Sequence, residues 1–421
     1  MNVLLLGSGG REHALAYKIS QSPMLNKLYI LPGNAGTESL GKNLTLQSDF
    51  ATIARKCIDF RIDMVVVGPE AMLVKGIKDF FQRTVSLKHI KVVGPDKAAA
   101  QLEGSKAFAK KFMNTYHIPT AGYFEVNNKN KDKGLRFLDQ QKPPFVLKAD
   151  GLAAGKGVII CDNKEQAAAS LEEMLSGKFG KAGKTVLIEE FLQGIEISVF
   201  ILTDGKSYAM LPNAKDYKRI GEKDTGLNTG GMGAVSPVPF ANKALMDKII
   251  ERIVEPTIQG IKENNMTYEG VLYFGLMIVD NDPYVIEYNV RMGDPEAEVV
   301  VPRIKSDLLE HLNAACTNSL DKETIKIDQR TAATVILASG GYPEKYEKGK
   351  IITGIDNIKK SIVFQAGTKK ENNNIVTNGG RVMALTSFGK NLKEALKHSY
   401  SAAKKIDFDK KYYRKDIGFD L

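Results

Sequence analysis

The chain has 421 residues, 43% of them hydrophobic and 26% charged, with 59 Lys and Arg against 49 Asp and Glu for a net charge of +10. That balance excludes disordered, collagen-like and coiled-coil classes, and at roughly 150 residues per domain the length suggests about three domains. No apolar run reaches the roughly 18 to 20 residues of a membrane helix, the segment Met1–Gly7 is too short and uncharged for a signal peptide, and Cys57, Cys161 and Cys316 are too scattered for a disulfide framework.

The cysteines read as reduced thiols of a cytoplasmic protein. The basic pairs Lys359-Lys360, Lys369-Lys370, Lys404-Lys405 and Lys410-Lys411 mostly alternate with acidic and polar residues, without interleaved aromatics. They predict solvated surface and no nucleic-acid stripe. A moderate positive field also suits small anionic substrates.

In chain order, Val3–Leu6, Leu28–Leu31, Met64–Val67 and Lys91–Val93 read as buried strands. Each runs into a turn rich in Gly or Pro: Gly7-Ser8-Gly9-Gly10, Pro32 to Gly36, Gly68-Pro69-Glu70 and Gly94-Pro95-Asp96. Their spacing fits βαβ units and a parallel sheet, whose ligands bind beyond the carboxyl ends of the strands, where these turns lie. Residues near 97–116 predict a helix, ended by Pro119. Strands follow at Phe145–Lys148, Gly157–Ile160 and Val186–Glu189, with a helix at Lys164–Leu175. A Gly-rich stretch over 221–233 precedes a helix at Lys243–Glu263. Gly270–Val279 and Tyr284–Asn289 read as a hairpin joined by Asp280-Asn281-Asp282-Pro283. The chain past 326 is rich in short β runs (Ala332–Leu337, Ile362–Ala366, Arg381–Thr386). Domain boundaries fall near 100 and 325.

Several clusters are candidates for chemistry. Gly7-Ser8-Gly9-Gly10-Arg11-Glu12-His13 after a strand aims a helix N-terminus at an anion, or is a tight packing turn. It is not a dinucleotide fingerprint, because Glu12 stands at the third glycine and no acid ends the second strand. Lys148 to Gly157 combines glycines with lysines, as a phosphate-covering loop or a surface hairpin. It is not a Walker A loop, since no Ser or Thr follows Lys156. Ile188 to Glu196 is a strand and turn, and beside a phosphate loop becomes a candidate purine hinge with Glu196 able to accept from ribose hydroxyls. Glu287 and Asn289, two apart on a strand, share a face, either as ligands suited to a hard cation or as the outward polar residues of a half-exposed strand, with Arg291 on that face too. Asp282 belongs to the turn and is the weaker ligand. Asp224 to Gly233 reads as a substrate-covering or plain surface loop.

In this order the segments resemble the glycinamide ribonucleotide synthetase family of the ATP-grasp superfamily, from Val3 to about Gly418. The resemblance rests on Gly9-Gly10-Arg11-Glu12-His13, Pro32 to Thr37, Val67 to Glu70, Gln101 to Lys106, Lys148 to Gly157, Asn228 to Gly233, Gly293-Asp294-Pro295-Glu296, Thr377 to Arg381 and Arg414 to Gly418. It implies an α/β and α+β architecture: an N-terminal Rossmann-like domain over 1–100, a two-lobed ATP-grasp domain over 101–325 with a mobile lobe near 120–192, and a β-rich C-terminal domain over 326–421.

The implied activity joins glycine to 5-phosphoribosylamine with ATP cleavage, through a glycyl phosphate, early in purine synthesis. Lys106 and Lys148, with Gly155 and Lys156 of the closing loop, would hold ATP phosphates. Glu189, Glu190, Phe191 and Leu192 would form the adenine hinge, and Glu196 would hold the ribose. Glu287 and Asn289 would bind Mg²⁺ or Mn²⁺. Arg291, Asp294 and Lys218 would act near the acyl phosphate. Gly9, Gly10, Asn34, Gly36, Thr37, Asp216 and Gly231 would face the substrates. Another ATP-grasp carboxylate–amine ligase or carboxylase is the alternative. The implied protein is a cytoplasmic monomer or weak dimer, working on small molecules and not on membranes or nucleic acid. Two stretches depart from the family's pattern: Lys215-Asp216-Tyr217-Lys218-Arg219 stands where Gln-Asp-His-Lys-Arg is expected, and Asn289-Val290-Arg291-Met292 where Asn-Cys-Arg-Phe is expected.

Overall fold

A computed structural model describes residues 1–45, 49–153 and 157–421. Strands β1 (Asn2–Gly7), β2 (Lys27–Pro32), β3 (Lys42–Asn43), β4 (Met64–Val67) and β5 (Lys91–Pro95) pair in parallel in the order β5-β4-β1-β2-β3. Val3, Leu5, Met64 and Val66 pack into one core, and Leu4, Leu6, Val65 and Val67 into another on the opposite face. Burial on both faces is why these strands read as unbroken apolar runs.

Strands β6 (Tyr123–Asn127), β7 (Phe145–Ala149), β8 (Val158–Cys161) and β9 (Thr185–Glu189) form a separate antiparallel sheet, ordered β6-β9-β7-β8. Helices Lys131–Asp139 and Lys164–Glu173 cover it, closing a small core around Leu138, Leu147, Leu171 and Ile188. The glycine- and lysine-rich segment after Phe145 is the connection of the β7–β8 hairpin, with Lys148 paired to Val158. The flanking strands thus fit the hairpin reading; residues 154–156 lie outside the described residues.

Strands β10 (Ile195–Thr203) and β11 (Tyr208–Met210) continue the chain, followed by the short β12 (Lys215–Asp216), β13 (Arg219–Gly221), β14 (Thr225–Asn228) and β15 (Gly233–Ser236). Strands β16 (Tyr268–Val279) and β17 (Asp282–Asn289) form the expected hairpin. Its two-residue turn has Asp280 and Asn281 at φ 49° and 65°, the left-handed pair that matches strand twist. The Asp282 carboxylate turns away to Lys248 and Arg252, at 2.9 and 2.8 Å.

Strand β16 also pairs with β5 (Tyr268 opposite Pro95, Glu269 opposite Gly94), making one nine-stranded sheet from the N-terminal strands and β10, β11, β16 and β17. The C-terminal strands are β18 (Thr331–Ser339), β19 (Ile362–Gln365), β20 (Thr368–Glu371), β21 (Asn374–Thr377), β22 (Arg381–Gly389) and β23 (Lys411–Tyr412), with helix Leu392–Lys405 packed on them. Strand β15 pairs with β18, so residues 215–236 join the C-terminal sheet through β12 and β15. Two sheets thus run across the expected boundaries near 100 and 325.

The helix expected over 97–116 is two helices, Gln101–Gly104 and Lys106–Thr115. Ser105 between them is extended and its hydroxyl accepts the Phe108 N–H at 3.1 Å, an N-cap that starts the second helix at Lys106. Helices at 164–175 and 243–263 are likewise broken by wide turns at Met174–Lys178 and Ile250–Val254.

Candidate active site

The register of three strands builds the floor of a cleft under the β6–β9 sheet. Glu196 of β10 lies opposite Met277 and Ser198 opposite Gly275, while Gly275 and Tyr273 lie opposite Glu287 and Asn289 of β17. Directly paired residues share a face, so Glu196, Ser198, Tyr273, Glu287 and Asn289 all rise from one side. The other side, with Val199, Phe274, Leu276 and Tyr288, is apolar core. A bulge between Gly275 and Leu276 leaves Ile286 unopposed, and its carbonyl accepts the Lys148 ammonium at 3.3 Å. This bond ties the small sheet to the floor.

Lys148 also pairs with Glu189 at 2.9 Å. Glu189 is shared with Lys110 at 3.2 Å, and Lys110 donates further to Thr120 and the Ala121 carbonyl. Burial would push the Glu189 carboxyl up, but Lys148 and Lys110 outweigh it and hold it below its ordinary value. Burial lowers the Lys110 ammonium to about 8. Lys106, one turn before Lys110 on the same helix, is lowered by burial while Glu287 draws it back up. The sequence motifs did not single out Lys110, although its i,i+4 spacing from Lys106 was visible. The Glu189 side chain is thus spent on the two lysines, which leaves only its backbone for the hinge role that the resemblance implies. The Glu190 N–H is taken by the Gly122 carbonyl at 2.9 Å. Phe191 and Leu192 follow at the junction of the two sheets, Phe191 exposed. Gly155 and Lys156 lie outside the described residues.

At the other end of the floor, Lys218 pairs with both Glu196 and Asp216. Burial alone would lower the Lys218 ammonium, yet Asp216 and Glu196 raise it well above its ordinary value. Glu196 is held low by Lys218 against burial, whereas burial keeps Asp216 raised. Tyr217, between them, points the opposite way and is buried, its hydroxyl on Asp420 at 2.8 Å. The first departure from the family's pattern thus faces away from the cleft, and the second, Val290 and Met292, is buried core. On the same face of the floor the Ser198 hydroxyl contacts Tyr273 at 3.0 Å and Glu296 at 3.2 Å. Burial and the neighbouring Asp216 push Glu296 up to about 7.

The Glu287 carboxylate accepts the Asn289 amide at 3.2 Å, so the two expected metal ligands are in contact. Arg291 does not stay on their strand face. It swings to Glu103 at 2.7 Å and Glu70 at 3.4 Å, and the second oxygen of Glu103 accepts the Val290 N–H at 2.7 Å. Burial would lower the guanidinium, but Glu103 and Glu70 raise it. Both acids stand in motif segments of the sequence, one after Pro69 and one three residues before Lys106. Pairing them with Arg291 needs long-range contacts that no local pattern encodes.

The remaining substrate candidates meet where the first strand's turn faces the C-terminal sheet. The Gly9 N–H is accepted by Glu12 at 2.6 Å, and Glu12 packs against Gly7 and Gly68. The residue that breaks the dinucleotide fingerprint thus fills the space a cofactor's backbone contact would need. Asp294 lies against Gly9 and forms an ion pair with Arg381 at 2.9 Å, while the Arg381 guanidinium also bonds the Asp294 and Gly230 carbonyls. Gly231 has φ +113° and stacks on Pro295, where a side chain would not fit. Gly10 faces the buried Glu298. Asn34 accepts the N–H groups of Gly36 and Thr37 and donates to the carbonyls of Ser8 and Gln365, while Thr37 closes on Asn34 and Asn43. The side chains of Asn34 and Thr37 therefore brace their own loop.

Three family models match consecutive parts of the chain: the phosphoribosylglycinamide synthetase N domain over residues 1–103, its ATP-grasp (A) domain over 104–297 and its C domain over 332–420. The phosphoribosylamine–glycine ligase of Fusobacterium nucleatum is 44% identical over 99% of this chain and 98% of its own length. That of Escherichia coli K12 is 44% identical over 100% and 98%. The crystal structure of the Thermotoga maritima phosphoribosylamine–glycine ligase superposes with a TM-score of 0.86 at 35% identity, over 99% of this chain and 100% of that one. A biotin carboxylase domain from Hydrogenobacter thermophilus shares the fold at a TM-score of 0.75 and 14% identity, over 98% of this chain and 91% of that one.

Proposed function

The chain belongs to the phosphoribosylglycinamide synthetase family, and from that premise we propose how its cleft performs the reaction. It is an ATP-dependent ligase that joins glycine to 5-phospho-D-ribosylamine in purine biosynthesis. The observation that carries the residue roles is the shared floor. Lys148, Glu196 and the Glu287–Asn289 pair sit on or against one face between two sheets, with Lys106 near enough to Glu287 and Lys148 to feel their charges.

A carboxylate is a poor electrophile, so the glycine oxygen first takes the γ-phosphoryl group of ATP and ADP leaves. The amine of phosphoribosylamine then attacks the acyl carbon, and phosphate departs as the carbon–oxygen bond breaks. Such phosphoryl transfer depends on positioning and charge neutralisation more than on a protein nucleophile. Lys148, fixed by Glu189 and the Ile286 carbonyl, and Lys106 neutralise the phosphates. The backbone of Glu189, Glu190, Phe191 and Leu192 receives the adenine, and Glu196 the ribose. Arg291 and Lys218 stabilise charge on the transferring and leaving groups, and Asp294 orients the amine beside Gly9 and Gly231. The glycine-rich β7–β8 connection covers the acyl phosphate from water.

Glu287 and Asn289 suit Mg²⁺ or Mn²⁺, because they are in contact and both offer hard oxygen. A pair of protein oxygens completed by nucleotide phosphates is the usual Mg²⁺ arrangement. Bound there, the cation would neutralise the β- and γ-phosphates. No helix among the described residues is long and apolar enough to cross a membrane. We place the enzyme in the cytoplasm as a monomer or weak dimer.

The test is ADP release from ATP with glycine and freshly prepared phosphoribosylamine. ADP should appear only with both. ADP formed without glycine, or only with bicarbonate, would assign the cleft to a different ATP-grasp reaction.

A further inference from the structure

The segment Arg414 to Gly418 matches the family's sequence but has no part in the cleft chemistry above. In the structure it lies behind β12, on the side away from the cleft. The Arg414 side chain is fully buried. Its Nε and one Nη reach both oxygens of Asp416, at 2.8 and 2.9 Å, and its other Nη reaches Asp224 at 2.6 Å and the Arg219 carbonyl at 3.2 Å. The guanidinium plane lies 5.3 Å from the Tyr217 ring and 5.8 Å from that of Phe419.

The neighbouring tail residues reach the same stretch. Tyr412 donates to the Ile220 carbonyl at 2.6 Å, Asp416 accepts the Lys223 N–H at 2.6 Å, and Asp420 takes both the Tyr217 hydroxyl and the Lys215 ammonium, at 2.8 and 3.2 Å. On the other edge, the Tyr217 backbone is bonded to Gly233 and Met232 of the β15 strand and its entry. Extended backbone alternates its side chains, so fixing Tyr217 on the back fixes Asp216 and Lys218 on the front. Those front residues meet Glu196.

We propose that Arg414 is a positioning residue: with Asp416 and Asp420 it clamps the back of residues 215–224 and thereby sets where Lys218 and Asp216 stand in the cleft. A guanidinium suits this role because its fork holds one carboxylate with two bonds while its face packs on an aromatic ring. The carboxylates of Asp224 and Asp416 offset its buried charge, so the clamp is fixed in place only when all parts are present. The inference rests on the cleft reading for Lys218, and its test separates the two.

Turnover is compared in the full-length enzyme for wild type, Arg414→Gln, Lys218→Ala and the double variant, with melting curves to confirm folding. Arg414→Gln should lower kcat about tenfold to a hundredfold in the wild-type background, the size of loss a displaced catalytic group produces. In the Lys218→Ala background the same change should cost less than about twofold, because the group it positions is gone. Arg414→Lys keeps charge without the fork and should restore little. Equal factors in both backgrounds overturn the clamp and leave Arg414 a merely structural residue. Absence of glycine-dependent ADP release in wild type overturns the cleft reading instead. If Arg414→Gln does not fold, Asp420→Asn, which alters only the contacts to Tyr217 and Lys215, runs the same cycle: a loss confined to the Lys218 background supports the clamp, and equal losses overturn it.

Discussion

Lys148 donates to Glu189 at 2.9 Å across adjacent strands, so the lysine we assign to the phosphates stands fixed against the strand that leads into the proposed hinge. Glu189 holds Lys110 as well, and the three side chains are buried together. Glu189→Gln leaves two buried ammonium groups facing each other without their shared counter-charge. Removing one partner of a buried ionic cluster costs about 3 kcal/mol or more. The variant should unfold at lower urea and show a higher KM for ATP. A variant with wild-type stability would mean that water, and not Glu189, solvates the two lysines.

Glu287 and Asn289, in contact at 3.2 Å, are the pair we assign to a divalent cation. Glu287→Ala should abolish glycine-dependent ADP release, by at least about a hundredfold, while nucleotide without metal still binds. Asn289→Ala, which leaves the carboxylate, should be partly rescued by raising Mg²⁺ or Mn²⁺. A Mg²⁺ titration of turnover reads both. Near-normal activity of Glu287→Ala at low Mg²⁺ removes the metal from this strand.

Arg291 is gripped by Glu103 at 2.7 Å and Glu70 at 3.4 Å, carboxylates from two different helices, Gln101–Gly104 and Glu70–Val74. A lysine there keeps one charge but loses the fork that spans both acids. Arg291→Lys should drop kcat about a hundredfold with little change in KM for ATP, read from steady-state ADP release. The reverse pattern, a raised KM with kcat intact, would place Arg291 on the nucleotide.

The parallel strands and the hairpin at Asp280 were legible because period and turn residues act within a few residues; the helical stretch near 97–116 was legible too, but not the Ser105 cap that splits it. The same-face placement of Glu287 and Asn289 followed from strand alternation alone. What could not be read is what those groups touch. Glu103 lies far from Arg291 in sequence and Arg381 far from Asp294, and their pairing depends on β16 joining β5 and β15 joining β18. The resemblance implies that Asn34 and Thr37 face substrate, and their side chains also brace their own loop; an Asx turn has the same local sequence in either role. Lys110 was missed because a lysine in a helix usually means surface, and only its tertiary neighbours make it buried.

Glu296 gives a pH signature. Burial and the nearby Asp216 push its carboxyl from an ordinary 4.5 up to about 7. Between those values the folded chain holds a proton that the unfolded chain has released. The stability linked to this proton is complete below about pH 4.5 and is lost as pH rises through about 7. Glu296→Gln mimics the protonated form and keeps a partner for Ser198. It should match wild type at pH 4.5 and exceed it at pH 8, by up to about 3 kcal/mol. Asp216 and Glu298 are raised by burial as well, so the slope of wild type alone does not isolate Glu296. The difference between the two proteins reports Glu296 together with its coupling to Asp216, whose charge raises it. Urea midpoints at pH 4.5 and 8 give that difference, and parallel pH slopes for variant and wild type would show that Glu296 is ionised throughout the range.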